Sequence, residues 1–256
     1  MTTITLSNKE IHAGNLILVN AKYPVQNVDG TDLTPATAEY PNILMMRKAA
    51  NVFQLIFEKI GCSNEIVPVS GYRSANEQTK IYETSRQESG EDFTRKFVAL
   101  PYHSEHQTGL AIDLGLKKDE IDFICPEFPY EGICDKFRRI APHYGFIERY
   151  PSGKEQITGI AHEPWHFRYV GYPHSQIMIE KKLTLEEYID FIKQFPGNGK
   201  RLLTHMNDKS IEVYYVMAAK GAKTTFSLPE KAVYLVSGNN IDGFIVTLWR
   251  NRNESY

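Results

Sequence analysis

The hydrophobic positions of the chain first become regular between Pro41 and Ile60, where apolar residues recur at three- and four-residue spacing. This spacing is typical of an amphipathic helix with one buried face. Pro41 suits the first turn of such a helix, and Gly61 suits its C-terminal end. Residues 1–40 do not repeat this spacing, so we expect an irregular, turn-rich lead-in before the helix.

Short apolar runs later in the chain predict strands, because they are rich in β-branched or aromatic residues and are bounded by turn-forming residues. The runs are Glu65–Ser70, Leu110–Leu114, Phe146–Tyr150 and Trp165–Val170. Further helices are predicted from Ser74 to about Arg86, where Ser74 and Glu77 form a capping box, from Glu131 to Tyr144 and from Thr184 to about Phe195. Helices and strands alternate without βαβ regularity. We therefore expect an α+β fold in which helices flank a central antiparallel sheet.

The composition changes at residues 196–200, a Pro- and Gly-rich segment typical of a linker. Three strand-like runs follow it, at Ile211–Met217, Ala232–Val236 and Phe244–Trp249, with hairpin turn residues between the last two. We therefore predict a main domain over residues 1–199 and a small β-rich C-terminal extension over residues 200–256.

The charge of the chain limits its partners. Its 256 residues carry a formal charge of −2, and Lys and Arg are scattered rather than clustered, so nucleic-acid binding is not expected.

The apolar run Leu16–Val19 is too short to span a bilayer, and no signal-peptide pattern is present. Three cysteines without a CxxC pair suit a reduced compartment, with a Cys125–Cys134 disulfide in an exported form as the alternative. We predict a cytoplasmic protein without a membrane segment, although a chain whose export signal or anchor had been removed would look the same.

Candidate chemistry begins with the segment Ser104–Asp113, which places His106 and Asp113 seven residues apart on either side of Gly109. A catalytic zinc ion takes three protein ligands, and imidazole nitrogen and carboxylate oxygen are among the donors it accepts. The glycine allows the chain to turn so that both side chains converge. The alternative is an aspartate in a turn at a strand end and an unrelated surface histidine, and these residues alone leave both interpretations open.

A second segment, His162-Glu163-Pro164-Trp165-His166, matches the HExxH pattern with which a helix presents two zinc ligands. Pro164 argues against a helix, because proline inside one costs about 3 kcal/mol or more and disfavours helical backbone at the residue before it. We predict a strand instead, on which residues 162 and 163 point to opposite faces. Glu163 and His166 are the candidates for the site, and His162 is expected to stand apart from it.

A third segment, Ser70-Gly71-Tyr72-Arg73-Ser74, joins a predicted strand to the predicted start of a helix. Loops at such junctions carry functional groups because the flanking elements hold them in place. Arg73 is therefore a candidate for the site. The alternative is an arginine paired with a surface carboxylate.

Together, the three segments resemble the D-alanyl-D-alanine carboxypeptidase and dipeptidase family of zinc peptidases. The family pattern S-x-H-x-x-G-x-A-x-D is present as SEHQTGLAID, and the downstream E-x-x-H is present as EPWH. SGYRS followed by Gln78 is a further feature of the family. The resemblance covers roughly residues 40–175 and is nearest to the VanY and VanXY types of vancomycin-resistance D,D-peptidases. The lack of an anchor favours the cytoplasmic VanXY type.

The resemblance implies one zinc ion held by His106, Asp113 and His166. It also implies that Glu163 is the catalytic base, which takes a proton from water and returns it to the leaving amine. The implied activity is hydrolysis of the D-Ala-D-Ala bond, in the free dipeptide, at the C-terminus of the peptidoglycan precursor pentapeptide, or in both. Glycopeptide resistance would follow, and residues 1–199 would form the catalytic domain.

By the same resemblance, Arg73 contacts the substrate and stabilises the negative oxygen that forms during hydrolysis. Gln78 and Ser104 help to recognise the substrate by holding the terminal carboxylate of D-Ala. The implied partner is a small peptide, and the sequence does not determine the oligomeric state.

Two alternatives remain open. A different cell-wall peptidase, either an L,D-carboxypeptidase or an endopeptidase, would use the same residues. A non-catalytic zinc-bearing binding module is the other alternative. The presence of Glu163 and Arg73 argues against it, because a protein that only binds needs neither.

Overall fold

The computed structural model describes residues 1–26, 32–206 and 209–251 of the chain. By packing, the chain divides into two units. The larger unit is Val19–Thr184, and the smaller unit comprises Met1–Leu18 and Leu185–Tyr256. The sequence predicts a boundary after residue 199, whereas packing groups the start of the chain and everything after Thr184 with the C-terminal strands. The extent of the catalytic domain stays a prediction.

The elements are mixed helices and antiparallel strands, as the α+β prediction requires. The strands are β1 (Thr2–Ser7), β2 (Leu33–Pro35), β3 (Leu44–Met46), β4 (Ile66–Ser70), β5 (Ala111–Leu116), β6 (Phe146–Tyr150), β7 (Glu163–Tyr169), β8 (Leu202–Met206), β9 (Lys209–Met217), β10 (Lys223–Leu228), β11 (Val233–Gly238) and β12 (Gly243–Asn251). The α-helices are α1 (Arg47–Ile60), α2 (Ala75–Ser89), α3 (Glu91–Phe97), α4 (Gly132–Ile140), α5 (Glu155–Thr158), α6 (His174–Lys181) and α7 (Leu185–Lys193). Short 3-10 helices lie at Asn8–His12, Glu105–Thr108 and Ala141–Tyr144.

The centre of the larger unit is a four-stranded sheet in the order β4-β5-β7-β6, in which every neighbouring pair is antiparallel. The predicted central antiparallel sheet is therefore confirmed, and its strands lie within a few residues of the predicted runs. Helix α2 begins at the predicted capping box. The Ser74 N–H donates to the Glu77 carboxylate at 2.7 Å, and the Glu77 N–H donates to the Ser74 hydroxyl at 3.2 Å. This cap sets the start of α2 directly after the loop that carries Arg73.

Helix α1 begins later than its hydrophobic pattern predicts. Leu44–Met46 is instead the strand β3, which pairs with β2. Its backbone is held by distant groups, since the Tyr72 N–H donates to Leu44 O at 2.6 Å and the Met46 N–H donates to Gly109 O at 2.8 Å. Periodicity along one segment contains no information about such long-range hydrogen bonds. The predicted helical start was therefore wrong for these residues.

The rest of α1 follows the prediction. Ala49, Phe53 and Ile56 on its apolar face are fully buried. The ring of Phe53 lies 6.1 Å, centroid to centroid, from a ring on α4 and from another on β6, in edge-to-face arrangements that aromatic pairs favour. Gly61 ends the helix with a φ of 64°, as predicted, because glycine adopts this left-handed conformation without steric cost.

The smaller unit contains a second four-stranded sheet, in the order β11-β12-β9-β8, and a separate antiparallel pair of β1 with β10. The predicted strands β9, β11 and β12 are confirmed, as is the hairpin turn between the last two. The prediction missed β1, β8 and β10. Strand β1 pairs with residues more than 200 positions later in the chain, so its partner was not visible in the local pattern.

The core of the smaller unit is a cluster of buried apolar side chains, Tyr214, Leu228, Val246 and Leu248. Among the described residues, no helix combines the length and the apolar character needed to cross a membrane. Cys62, Cys125 and Cys134 are free thiols, so the alternative of a Cys125–Cys134 disulfide is not found.

Candidate metal centre and its pocket

His106 lies in the 3-10 turn that leads into β5, and its ring is held from behind. Its Nδ1 donates a hydrogen bond of 2.7 Å to the carbonyl oxygen of Gly71. Because a neutral imidazole has one protonated nitrogen, this bond leaves the Nε2 lone pair free to bind a cation.

Two glycines allow the backbone around His106 and Gly71 to pack closely against its neighbours. Gly109 ends the turn with a φ of 69°, and a Cβ there would come within 3.0 Å of the Met46 backbone nitrogen. At Gly71, a Cβ would lie 2.2 Å from the carbonyl oxygen of Leu44. Both positions therefore require glycine. The predicted turn at Gly109 is confirmed, whereas the packing requirement at Gly71 was not foreseen.

Asp113 and His166 are direct cross-strand partners on β5 and β7. Side chains that face each other on neighbouring antiparallel strands lie close together. The His166 Nδ1 is 2.9 Å from Asp113 Oδ1, and the His106 Nε2 is 3.1 Å from Asp113 Oδ2. The sheet register and the 3-10 turn thus bring together the three residues that the sequence motifs suggested.

The three side chains suit a metal ion. Among the described residues, His106, Asp113 and His166 form a buried group whose ligand atoms all lie within 4.8 Å of one another. His106 Nε2 and Asp113 Oδ1 are buried and have no hydrogen-bond partner, so the short contacts between these side chains lack hydrogen-bond geometry. Two imidazole nitrogens and a carboxylate oxygen are a typical donor set for a catalytic zinc centre with one open position. The residues present therefore fit zinc.

Burial sets the charge of His106. It lowers the pKa of this imidazole to about 4, so the ring is neutral at pH 7, as a metal ligand must be. Burial would also lower the pKa of His166, but the neighbouring Asp113 carboxylate outweighs it and raises that pKa to about 9. Asp113 has its own pKa held well below its usual range by the two imidazoles, despite its burial. The aspartate is therefore the permanent negative charge of the group.

Glu163 is the first residue of β7, and its Oε2 lies 3.7 Å from His166 Nδ1. Its side chain is buried, and burial raises its pKa to about 8. A carboxyl group with a pKa this close to neutrality can accept and release a proton at physiological pH. Glu163 therefore stands beside the metal-binding group with the properties of a general acid–base.

As predicted, the HExxH segment does not form a helix. Residues Glu163–Tyr169 form β7, so the two histidines of the pattern do not share a helix face. His162 binds elsewhere, since its Nε2 lies 2.7 Å from the hydroxyl of Tyr130, with which its ring also stacks. The prediction that His162 stands apart from the ligands agrees with this arrangement.

Arg73 extends into the same pocket from the loop before α2. Its guanidinium NH2 lies 3.8 Å from Asp113 Oδ2, and its Nε is buried without a hydrogen-bond partner. Burial lowers its pKa, but arginine remains charged because its usual pKa is so high. The alternative of an arginine paired with a surface carboxylate is therefore wrong, because Asp113 is buried, and a fixed positive charge lies beside the candidate ligands.

Gln78 and Ser104 both line the pocket and are buried. The Gln78 Nε2 donates to the carbonyl oxygen of Ala99 at 2.7 Å, and its Oε1 has no hydrogen-bond partner. In this orientation the amide offers an acceptor to the pocket, which suits an N–H group better than a carboxylate. The predicted carboxylate contact through Gln78 stays a prediction and requires the amide to turn over.

Much of the remaining wall of the pocket is apolar, and this part was not predicted from the sequence. It is formed by Phe97, Val98, Phe123, Ile124, Ile160 and Trp165. An apolar wall with a few convergent polar groups is typical of a small-molecule site.

A buried charge cluster that the prediction also missed lies beside His166. Glu105 accepts hydrogen bonds from Arg149 at 2.8 Å and from Arg168 at 2.7 Å, and all three side chains are 0% exposed. The arginines hold the pKa of Glu105 well below its usual range, although burial alone would raise it. The signal in the sequence was an arginine inside each of two predicted strands, because a charge that becomes buried in a strand needs a partner.

Comparisons with known proteins agree with this geometry. The family model described as VanY, D-alanyl-D-alanine carboxypeptidase, matches residues 42–172, just over half of the chain. The chain belongs to the VanY family. The bifunctional D-Ala-D-Ala dipeptidase and D-Ala-D-Ala carboxypeptidase VanXYC of Enterococcus gallinarum is 44% identical over 181 residues, which cover 70% of this chain and 95% of that protein.

Two solved VanY-family structures are also similar. The vancomycin resistance D,D-dipeptidase VanXYg, in complex with a D-Ala-D-Ala phosphinate analog, is 61% identical with a TM-score of 0.95, covering 97% of this chain and 99% of that one. A mutant of the D,D-pentapeptidase VanY from the VanB-type resistance cassette, in complex with Zn(II), is 27% identical with a TM-score of 0.56, covering 68% and 98%.

These findings confirm the predicted family, the α+β fold and the assignment as a peptidase of the VanY family. The metal prediction is confirmed in a coarser form: one buried group can hold a metal ion, and a VanY-family relative binds Zn(II). The number of ions and the role of each residue stay predictions.

Proposed function

We propose that this VanY-family protein hydrolyses the D-Ala-D-Ala peptide bond with one zinc ion, in the free dipeptide, at the C-terminus of the precursor pentapeptide, or in both. The proposal rests on the convergence of His106, Asp113 and His166 beside Glu163 in a buried pocket. The substrate class is supported by the names of VanXYC and VanXYg, and by the D-Ala-D-Ala analog in the VanXYg structure.

His106, Asp113 and His166 would hold the zinc ion. When bound, the ion would polarise the scissile carbonyl and lower the pKa of water at the site to about 7. Since three protein side chains supply its ligands, one position stays open for chemistry.

Glu163 would be the general base. Burial raises the pKa of its carboxyl group to about 8, and the approach of a cation favours the carboxylate form. The carboxylate would take a proton from the attacking water and pass it to the nitrogen of the leaving D-Ala. Such transfers typically contribute about 10²–10⁴ in rate.

Arg73 would stabilise the negative charge that develops on the carbonyl oxygen. Its side chain is only 15% exposed beside Asp113, so its charge is partly shielded from water. Removing one such group typically lowers kcat about 10²–10³-fold. Ser104 would donate a hydrogen bond from its hydroxyl to the terminal carboxylate, and Gln78 would donate a second one after its amide turns over.

The test is the release of free D-Ala from D-Ala-D-Ala and from the pentapeptide, with and without chelator. We expect release from at least one substrate, loss of release on chelation, and recovery on adding one equivalent of zinc. The circular dichroism spectrum should not change on chelation, because a core of this size folds without a metal.

The alternatives give different outcomes in the same assay. Release of D-Ala from a tetrapeptide but from neither D-Ala-D-Ala substrate would indicate an L,D-carboxypeptidase, and cleavage within the peptide would indicate an endopeptidase. Zinc binding without cleavage of any substrate would indicate a binding module. Unfolding on chelation would show that the metal is structural.

Glycopeptide resistance is part of the proposal, because the similar protein VanXYg is a vancomycin resistance D,D-dipeptidase and the proposed activity would likewise remove D-Ala-D-Ala. Its test is the vancomycin susceptibility of a host that expresses the protein, compared with the same host expressing Glu163→Gln. The cytoplasmic location stays a prediction.

A further inference from the structure

In the buried cluster beside His166, the two oxygens of the Glu105 carboxylate have different surroundings. Arg149 Nε and Arg168 NH1 both donate to Glu105 Oε1, at 2.8 and 2.7 Å. Glu105 Oε2 receives no hydrogen bond and lies 3.5 Å from His166 Nε2, which is also buried without a hydrogen-bond partner. One oxygen therefore anchors the carboxylate, while the other faces a metal-ligand candidate.

The ring of His166 has its two nitrogens in different surroundings. Its Nδ1 faces Asp113 Oδ1 at 2.9 Å and Glu163 Oε2 at 3.7 Å, on the side where the candidate ligand atoms converge. Its Nε2 faces Glu105. Glu105 does not belong to the group whose ligand atoms lie within 4.8 Å of one another, so it is placed to bind the histidine rather than the ion.

Three elements fix the position of this carboxylate. Glu105 begins the 3-10 turn that also carries His106, Arg149 lies on β6, and Arg168 lies on β7 two residues beyond His166. The pairing of β6 with β7 shifts register between Glu148 and Tyr150, and a bulge of this kind redirects the side chain at that point. Burying three charges costs free energy, so an arrangement that only stabilised the fold would be better made of apolar residues.

We propose that Glu105 is a positioning residue for the metal centre, holding the proton of His166 on Nε2 so that the Nδ1 lone pair faces the ion. Arg149 and Arg168 keep the carboxylate charged and oriented. Carboxylates that hold a ligand histidine in this way typically affect metal affinity 10–100-fold. This inference rests on the proposed zinc function, and it adds residues that the zinc motifs do not include.

The first test uses the unaltered protein loaded with zinc and labelled with ¹⁵N-histidine. We expect the NMR spectrum of the His166 ring to show a protonated Nε2 whose proton exchanges slowly with solvent, and a metal-bound Nδ1. A His166 ring with its proton on Nδ1, or with an Nε2 proton that exchanges freely, would overturn the proposal. No substitution is needed, so the result does not depend on the folding of a variant.

The second test is zinc affinity by chelator competition in Glu105→Gln. The matched control is Glu212→Gln, because Glu212 in the smaller unit also lies between two arginines, Arg201 at 2.6 Å and Arg250 at 2.8 Å. We expect the Kd for zinc to rise 10–100-fold in Glu105→Gln and to change less than twofold in Glu212→Gln. Folded Glu105→Gln with wild-type zinc affinity would overturn the proposal.

Both tests are separate from the proposed function, since neither measures D-Ala release. If zinc affinity depends on Glu105 but no substrate is cleaved, the inference holds and the proposed activity fails. If D-Ala is released and zinc affinity does not depend on Glu105, the proposed activity holds and the inference fails.

Discussion

Each unit of this protein holds a glutamate between two arginines, and the two clusters differ in burial and in how the carboxylate is used. In the smaller unit, each oxygen of Glu212 binds one arginine, and the side chain is 12% exposed with more exposed partners. In the larger unit, both arginines bind the same oxygen of Glu105, and all three side chains are completely buried.

The Glu212 cluster is thus a partly exposed group of ion pairs, whereas the Glu105 cluster is buried and adjoins the candidate metal centre. Partly exposed ion pairs contribute little to stability, because water already solvates their charges. Complete burial removes that solvation, so a buried ion pair is often no better than apolar residues of similar size. The Glu105 cluster therefore calls for a functional explanation, and the free oxygen facing His166 supplies one. The Glu212 cluster needs none.

The largest expected effect comes from Glu163, the buried carboxyl group beside the ligand candidates. Glu163→Gln should lower kcat for D-Ala release about 10²–10⁴-fold, because the general base is lost. Zinc content by elemental analysis should stay at the wild-type value. Glu212→Gln should keep wild-type activity, and a similar loss in both variants would remove the functional distinction between the two units.

The next effect is on stability. Glu105→Gln removes the charge of a carboxylate that binds two buried arginines and should lower the free energy of unfolding by about 3–5 kcal/mol. Glu212→Gln should lower it by about 1 kcal/mol or less. The two tryptophans allow each unit to be followed separately in urea: Trp165 reports on the larger unit in a Trp249→Phe background, and Trp249 reports on the smaller unit in a Trp165→Phe background. Equal losses in the two variants would contradict the comparison.

A third prediction concerns the stability of the larger unit at acid pH. Burial lowers the pKa of His174 in the larger unit to about 3. The unfolded chain takes up this proton below about pH 6.5, so between these values the unfolded state binds more protons than the folded state. The histidine should therefore lower the free energy of unfolding by about 1.4 kcal/mol per pH unit as the pH falls.

Urea unfolding of chelated protein at several pH values measures this slope. His174→Gln should reduce the slope of the larger unit, whereas His205→Gln, which changes an exposed histidine of the smaller unit, should not. An unchanged slope in His174→Gln would show that this histidine does not contribute.

The smallest expected effect is that of His162, the histidine that the HExxH pattern would make a ligand. His162→Ala should keep zinc affinity and kcat within about twofold of wild type, because His162 binds Tyr130 rather than the ligand group. Loss of zinc in this variant would make His162 a ligand after all. It would also extend the functional cluster toward the surface of the larger unit.

Much of the site could be predicted because the family motifs are local. The spacing of His106, Gly109 and Asp113 lies within one short segment, and the proline of EPWH excludes a helix on steric grounds alone. The capping box at Ser74 and the C-terminal glycine of α1 are equally local, and both were predicted correctly.

The errors share a physical cause. The apolar pattern predicts the start of a helix at β3 and irregular chain at β1. Both predictions are wrong because each strand is stabilised by hydrogen bonds to residues far away in sequence. In the sequence motif Glu105 is only a variable position, and its partners Arg149 and Arg168 lie far away in sequence on two strands. The orientation of the Gln78 amide could not be predicted either, because it is set by a hydrogen bond to the backbone carbonyl of Ala99.

The sequence by itself determined which residues have the chemistry for a metal centre, since ligand type, glycine requirement and proline geometry are properties of single residues and short segments. The tertiary structure decided how those residues are used. It paired Asp113 with His166 through strand register, placed Glu163 and Arg73 in one pocket, and brought the two arginines to one oxygen of Glu105. These are contacts between distant segments, which only packing of the folded chain can create.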